Sequence, residues 1–221
     1  FAWANQTHAV DPALAICMGA GAGAVAAVVV GLPALRIRGV YLAVTTLALA
    51  VACSNGVFDN GYFDWIPTGS FAGHRPALLG RIPMDTPAEL YLLALGLLVV
   101  SLLAATALRR SRSGRVLIAI RENEDATRAY GVAVTQAKLA AFAVSGAIAG
   151  AAGAVFTLHQ GAFKQALFLP EESVATFIGV VLGGLASLPG AVIGAFILRG
   201  SGWLLPAPWN LFATAAGALF V

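Results

Sequence analysis

RRSRSGRVLIAIRENEDATRAYGVAVTQAK, residues Arg109 to Lys138, is a polar island in a sequence otherwise nearly free of charge. It holds seven basic residues (Arg109, Arg110, Arg112, Arg115, Arg121, Arg128, Lys138) and three acidic ones (Glu122, Glu124, Asp125). Apolar intervals flank it on both sides. A charged stretch bounded in this way is a loop between membrane spans, so the rest of the sequence is read outward from it as spans.

The composition agrees. Of 221 residues, 59% are hydrophobic and 10% charged, whereas a soluble domain carries about 25% charged residues. The fold class expected is therefore all-α, a polytopic transmembrane helical bundle of about six or seven spans. A pI near 9.2 does not argue for nucleic acid, because most basic residues cluster in one loop beside apolar spans. Cys17 and Cys53 both sit inside apolar runs, which suits buried thiols better than a disulfide or a zinc site.

Spans follow from the charge-free intervals. Ala13–Leu35 and Gly39–Phe58 flank Arg36 and Arg38; Leu90–Leu108 leads into the island; Leu139–Phe163 leaves it. Ser173–Leu198 allows one tilted span or two short segments turning near Ser187–Gly190. Gly183-Gly184 and Pro189-Gly190 favour the second. A last span begins near Trp209. With the island inside, nine of the 13 basic residues are cytoplasmic, leaving Arg75, Arg81, Lys164 and Arg199 outside, as the positive-inside tendency requires. The segment 59–89 is then external, with Tyr62, Phe63 and Trp65 as interface anchors and Pro67, Pro76, Pro83 and Pro87 limiting regular structure.

Small residues indicate how the spans pack. Gly19/Gly23, Gly146/Gly150, Gly179/Gly183 and Gly190/Gly194 are four GxxxG pairs, the spacing that lets helix backbones approach closely in lipid. The run Gly19 to Ala24 also fits a loose GxGxxA pattern, but no strand precedes it, so a dinucleotide site is excluded. No phosphate-binding GxxxxGK[ST] loop, GxSxG elbow or HExxH pair occurs, and His8, His74 and His159 are dispersed. The sequence offers no catalytic residue and no metal site, and it calls for no cofactor.

Within the island, Glu122-Asn-Glu-Asp125 opens a short helix and Gly131 closes it. Acids in the first turn and Arg128 in the last complement the helix dipole, and Gly131 occupies the left-handed position past the end. Gly114–Ile120 forms a second segment whose Val116, Leu117 and Ile120 make one apolar face. Polar residues at membrane depth, Tyr41, Thr45, Thr46 and Ser145, are candidates to line a path, although Ser and Thr in spans often bond only their own helix.

At these residues the sequence resembles a known family. Glu124-Asp-Ala126-Thr127-Arg-Ala129-Tyr-Gly131 is similar to the EAA-like loop of ABC importer permeases, most closely the branched-chain amino acid permease family on its LivM-like side. Gly31 to Ala48, Lys138 to Gly153, Ser173 to Gly184 and Pro189 to Ala195 extend the match in the family's order. Two departures stand out: Thr127 replaces a usual alanine, and Thr68 to Gly73 is one glycine poorer than the family's external run.

The resemblance implies a single transmembrane permease domain over 1–221, with a cytoplasmic coupling loop at 109–138 and an external loop at 59–89. It implies a fragment, with N-terminal spans before Phe1 and more of the last span beyond Val221. Coupling to an ATPase would fall on Glu122, Glu124, Asp125, Ala126, Arg128 and Gly131, and the substrate path on Tyr41, Thr45, Thr46 and Ser145. Implied partners are two ABC ATPase subunits, a second homologous permease subunit, a periplasmic or lipoprotein substrate-binding protein, a small-molecule substrate and the bilayer. The chain itself would be no enzyme, and it would sit as a multi-pass protein in the inner membrane. Cargo would be branched-chain or other apolar amino acids, with urea or short amides as the alternative. A different class, the ion-coupled secondary transporter, would use the helix breaks at Gly183–Gly190 around its substrate, but no ionisable residue lies at membrane depth to couple an ion.

Overall fold

Asp11 and Pro12 start the first helix, with Pro12 buried at its first position, where its missing N–H has no partner to lose. The computed structural model describes residues 11–35, 40–56, 69–70, 86–163, 168, 170–184 and 187–204. Among these, eight α-helices form: α1 Pro12–Ala34, α2 Val40–Gly56, α3 Pro87–Arg110, α4 Arg112–Glu122, α5 Glu124–Ala129, α6 Val134–Gln160, α7 Pro170–Gly183 and α8 Leu188–Leu204. One two-residue antiparallel ladder joins β1, Gly69–Ser70, to β2, Ala162–Phe163. The fold is an all-α polytopic bundle. Tyr62, Phe63, Trp65, Arg36, Arg38 and the span expected from Trp209 lie outside the described residues.

Three described helices, α1, α3 and α6, are each long and apolar enough to cross a bilayer. Their outward surfaces are apolar: Val25 is 65% exposed, Leu92 63% and Leu103 63%. Side chains of that kind on so many faces need lipid rather than water around them. Pro87, expected only to limit structure, instead begins α3, where the Glu89 carboxylate accepts a hydrogen bond from the Thr86 N–H at 3.1 Å.

The chain divides into two compact units, Phe1–Lys164 and Gln165–Val221. In the first, α1 and α6 run antiparallel with glycine facing glycine. A Cβ added to Gly19 would lie 3.0 Å from the Gly150 carbonyl oxygen, and one on Gly23 would strike the Gly146 carbonyl. Farther along, Phe142 covers Gly31. Leu90 of α3 and Leu158 of α6 bury each other, with Leu93 beside them. Together with the β1–β2 ladder, these contacts bring the Asp11 end of α1, the Pro87 end of α3 and the Gln160 end of α6 to one end of the unit. The island occupies the other, as alternating spans require.

In the second unit, α7 and α8 form an antiparallel hairpin. Gly179 meets Gly194 and Gly183 meets Gly190, backbone to backbone. The breakers therefore do produce two segments, but the turn falls earlier than the sequence suggests. Gly184, at φ 101°, leaves α7, and the Ser187 hydroxyl accepts a hydrogen bond from the Gly190 N–H at 3.0 Å to start α8. Pro189 sits inside the first turn of α8, a position that lacks an intrahelical N–H partner in any case.

Candidate coupling surface

Two single residues organise the island. Ser111 ends α3 and begins α4: its hydroxyl donates to the Leu108 carbonyl at 2.6 Å and accepts from the Gly114 N–H at 3.1 Å. Asn123 repeats the device between α4 and α5, its N–H bonding the Ala119 carbonyl at 2.9 Å while its Oδ1 accepts from the Ala126 N–H at 2.9 Å. Each residue caps two helices at once. Glu122, expected in the first turn of the short helix, is instead the last residue of α4, because Asn123 is the better cap and takes the boundary.

The short helix itself is well defined. Glu124 and Asp125 occupy its first turn and Arg128 its last, each on the side the dipole favours. Tyr130 follows as the cap, and Gly131, at φ 79°, donates its N–H to the Arg128 carbonyl at 2.9 Å. Thr127, the departure from the family's alanine, is buried and its hydroxyl donates to the Asn123 carbonyl at 2.7 Å. It faces inward, so the exposed surface is unaffected by the change.

Glu124 anchors the helix. Its two carboxylate oxygens each receive a cation at 2.7 Å, Arg128 within α5 and Lys138 on α6. The Lys138 contact ties α5 to the first turns of α6, a link that sequence spacing alone does not reveal. Asp125, Ala126, Ala129 and Gly131 are exposed around it, and Tyr130 is 88% exposed. A large aromatic ring held in water beside two alanines is the usual chemistry of an interface anchor. Behind this surface, Ile120 of α4 is buried and Val116 and Leu117 are half-buried, the apolar face expected of that segment.

The path candidates divide. Tyr41, Thr45 and Thr46 lie on α2; the side chains of Tyr41 and Thr45 fall outside the described residues, and Thr46 is half-buried. Ser145 on α6 is exposed. Helical spacing sets it on the stripe of Ile148, Ala152 and His159, opposite the glycine stripe that meets α1. Those three residues help line an apolar cavity of about 550 Å³ between α3 and α6, which also includes Tyr91 and Ser101. Ser101 donates to the Leu97 carbonyl at 2.7 Å, so its hydroxyl is satisfied within its own helix. This cavity had no signal in the sequence beyond the lone His159.

An all-α polytopic bundle with a capped, exposed helix between spans defines the chain as an integral membrane protein of the multi-span helical class. Residues 1–206 match the family described as branched-chain amino acid transport system / permease component, and the chain belongs to that family. Among its relatives is the high-affinity branched-chain amino acid transport system permease protein LivM of Salmonella typhimurium, 34% identical over 197 residues, covering 79% of this chain and 46% of the relative. The autoinducer 2 import system permease protein LsrC of Enterobacter sp. (strain 638) is 31% identical over 215 residues, 90% of this chain and 57% of the relative. The chain spans about half the length of these curated relatives. No solved structure matches.

Proposed function

We propose that the chain is the membrane-spanning part of a permease subunit in an ATP-driven importer of the inner membrane, and that α5 docks on an ATPase. Both compact units belong to that one permease domain, and the subunit works with a second permease, two ATPases and a substrate-binding protein. The observation that carries this reading is the combination at α5: an exposed Tyr130 and alanine face outward, and a Glu124–Lys138 staple inward to α6. A push on the outer face passes through Lys138 to α6, and through the glycine contact of α6 with α1 to a second span. Closure of two ATPases would then favour one of two bundle arrangements, which is what alternating access needs.

Glu124, Arg128 and Gly131 are assigned to shaping the helix, and Asp125, Ala126 and Tyr130 to the contact. Glu122, at the end of α4, borders that contact. Tyr41, Thr45, Thr46 and Ser145 remain the proposed path. The cargo is a branched-chain or other apolar amino acid, supported by the LivM relative; the LsrC relative supports a second reading, autoinducer 2. The test is co-purification of the ATPase and ATP-dependent uptake with Asp125→Lys and Tyr130→Ala. Both variants are expected to insert normally and to lose the ATPase. Retention of the ATPase at the unsubstituted level by both would sink the docking role.

A further inference from the structure

We infer that the elbow between α3 and α4 binds the phosphate headgroups of anionic phospholipids at the bilayer surface. At about 1.5 Å per residue, 24-residue α3 is about 36 Å long, against a hydrocarbon thickness of about 30 Å. Arg109 and Arg110, in its last turn, therefore reach headgroup depth. Ser111 turns the chain within one residue, and Arg112 and Arg115 follow in the first turns of α4. All four arginines are exposed. The Arg115 Nη1 donates to the Arg110 carbonyl at 3.4 Å, which folds its guanidinium back over the end of the span.

The geometry is held from below. A Cβ on Gly114 would collide with the carbonyls of Leu108 and Arg109, so α4 starts in direct contact with the end of α3. No acidic residue occurs in the sequence between Glu89 and Glu122, and the Glu124 carboxylate engages Arg128 and Lys138. Guanidinium groups bind phosphate oxygens in pairs, and a basic residue at an anionic surface contributes about 1 kcal/mol, or roughly fivefold in affinity. Ile118, 45% exposed one turn beyond Arg115, offers an apolar contact that suits acyl chains. A soluble anion has no use for it. The occupant is therefore a lipid, and the site requires neither ATPase nor substrate.

The full chain in detergent, offered equal phosphatidylglycerol and phosphatidylcholine, is read by native mass spectrometry. The unsubstituted protein is expected to retain phosphatidylglycerol preferentially. R112Q/R115Q, which leaves Arg109 and Arg110 to fix the span, should lose about fivefold of that preference per arginine, whereas R121Q, off the elbow, should lose none. R112K/R115K, with charge kept and the planar fork removed, should fall between and serves as the reading if the glutamine variant is recovered unfolded. Equal retention by R112Q/R115Q and the unsubstituted protein overturns the inference, as does an equal loss in R121Q. Displacement of the lipid by millimolar glycerol phosphate would overturn it too, by making the elbow a site for soluble anions.

Discussion

The same device closes two seams of this molecule, and it carries different loads in each. Between α7 and α8, glycine meets glycine across a turn bounded by Gly184 and Ser187, so the partners are neighbours in sequence and the hairpin can form locally. Between α1 and α6 the partners are separated by two further spans and the island, and the seam is keyed further: Ala27 meets Gly146, Ala154 meets Gly19, and Phe142 covers Gly31. A local glycine seam needs only to permit approach, because the turn supplies proximity. A distant one must also select its partner, and the interleaved alanines and phenylalanine fit that need.

This contrast can be broken by enlarging one glycine at a time and measuring reversible unfolding in detergent. Gly146→Leu drives a side chain into Ala27 and the Gly23 carbonyl, and with no turn to hold the partners it should cost about 3 kcal/mol, the top of the overpacking range. Gly194→Leu meets the Gly179 carbonyl but the hairpin can splay about its turn, so about 2 kcal/mol is expected. If Gly194→Leu proves the more damaging, closeness in sequence does not lighten the load on a glycine seam. Gly19→Ala brings a methyl to 3.0 Å from the Gly150 carbonyl oxygen and 3.1 Å from the Ala154 Cβ; a few tenths of an ångström of movement should hold the loss to about 1 kcal/mol. Gly21, two residues on, has nothing within 4 Å among the described residues, and Gly21→Ala should be neutral or stabilising by up to about 1 kcal/mol through helix propensity. A loss at Gly21 comparable to that at Gly19 would show that α1 dislikes any added bulk, not that it faces α6.

Sequence legibility follows the same division between local and distant. The spans were readable because hydropathy is local: Ala13–Leu35 became α1 at Pro12–Ala34, and Leu139–Phe163 became α6 at Val134–Gln160. All four GxxxG pairs were visible, but which pair faces which was not, since spacing within a helix carries no address for its partner. The capped helix of the island was legible from its acids and Gly131. The sequence places its start two residues early, because Glu122 resembles a first-turn acid while Asn123 makes the actual cap. Pro189 misleads about the turn between α7 and α8 for a related reason: proline breaks a helix interior yet is comfortable in a first turn. The Glu124–Lys138 staple left no trace, as it joins residues on different helices.

Ser111 and Asn123 leave no slack between the helices they join. With one residue at each joint, α4 becomes a lever of fixed length. At about 1.5 Å per residue it is about 17 Å long, so a 10° swing about Ser111 moves the Asn123 end by about 3 Å. Motion entering at α5 would thus be geared down to a small rotation at the end of a membrane span, and one residue inserted at either joint would introduce backlash without removing a single contact of the spans.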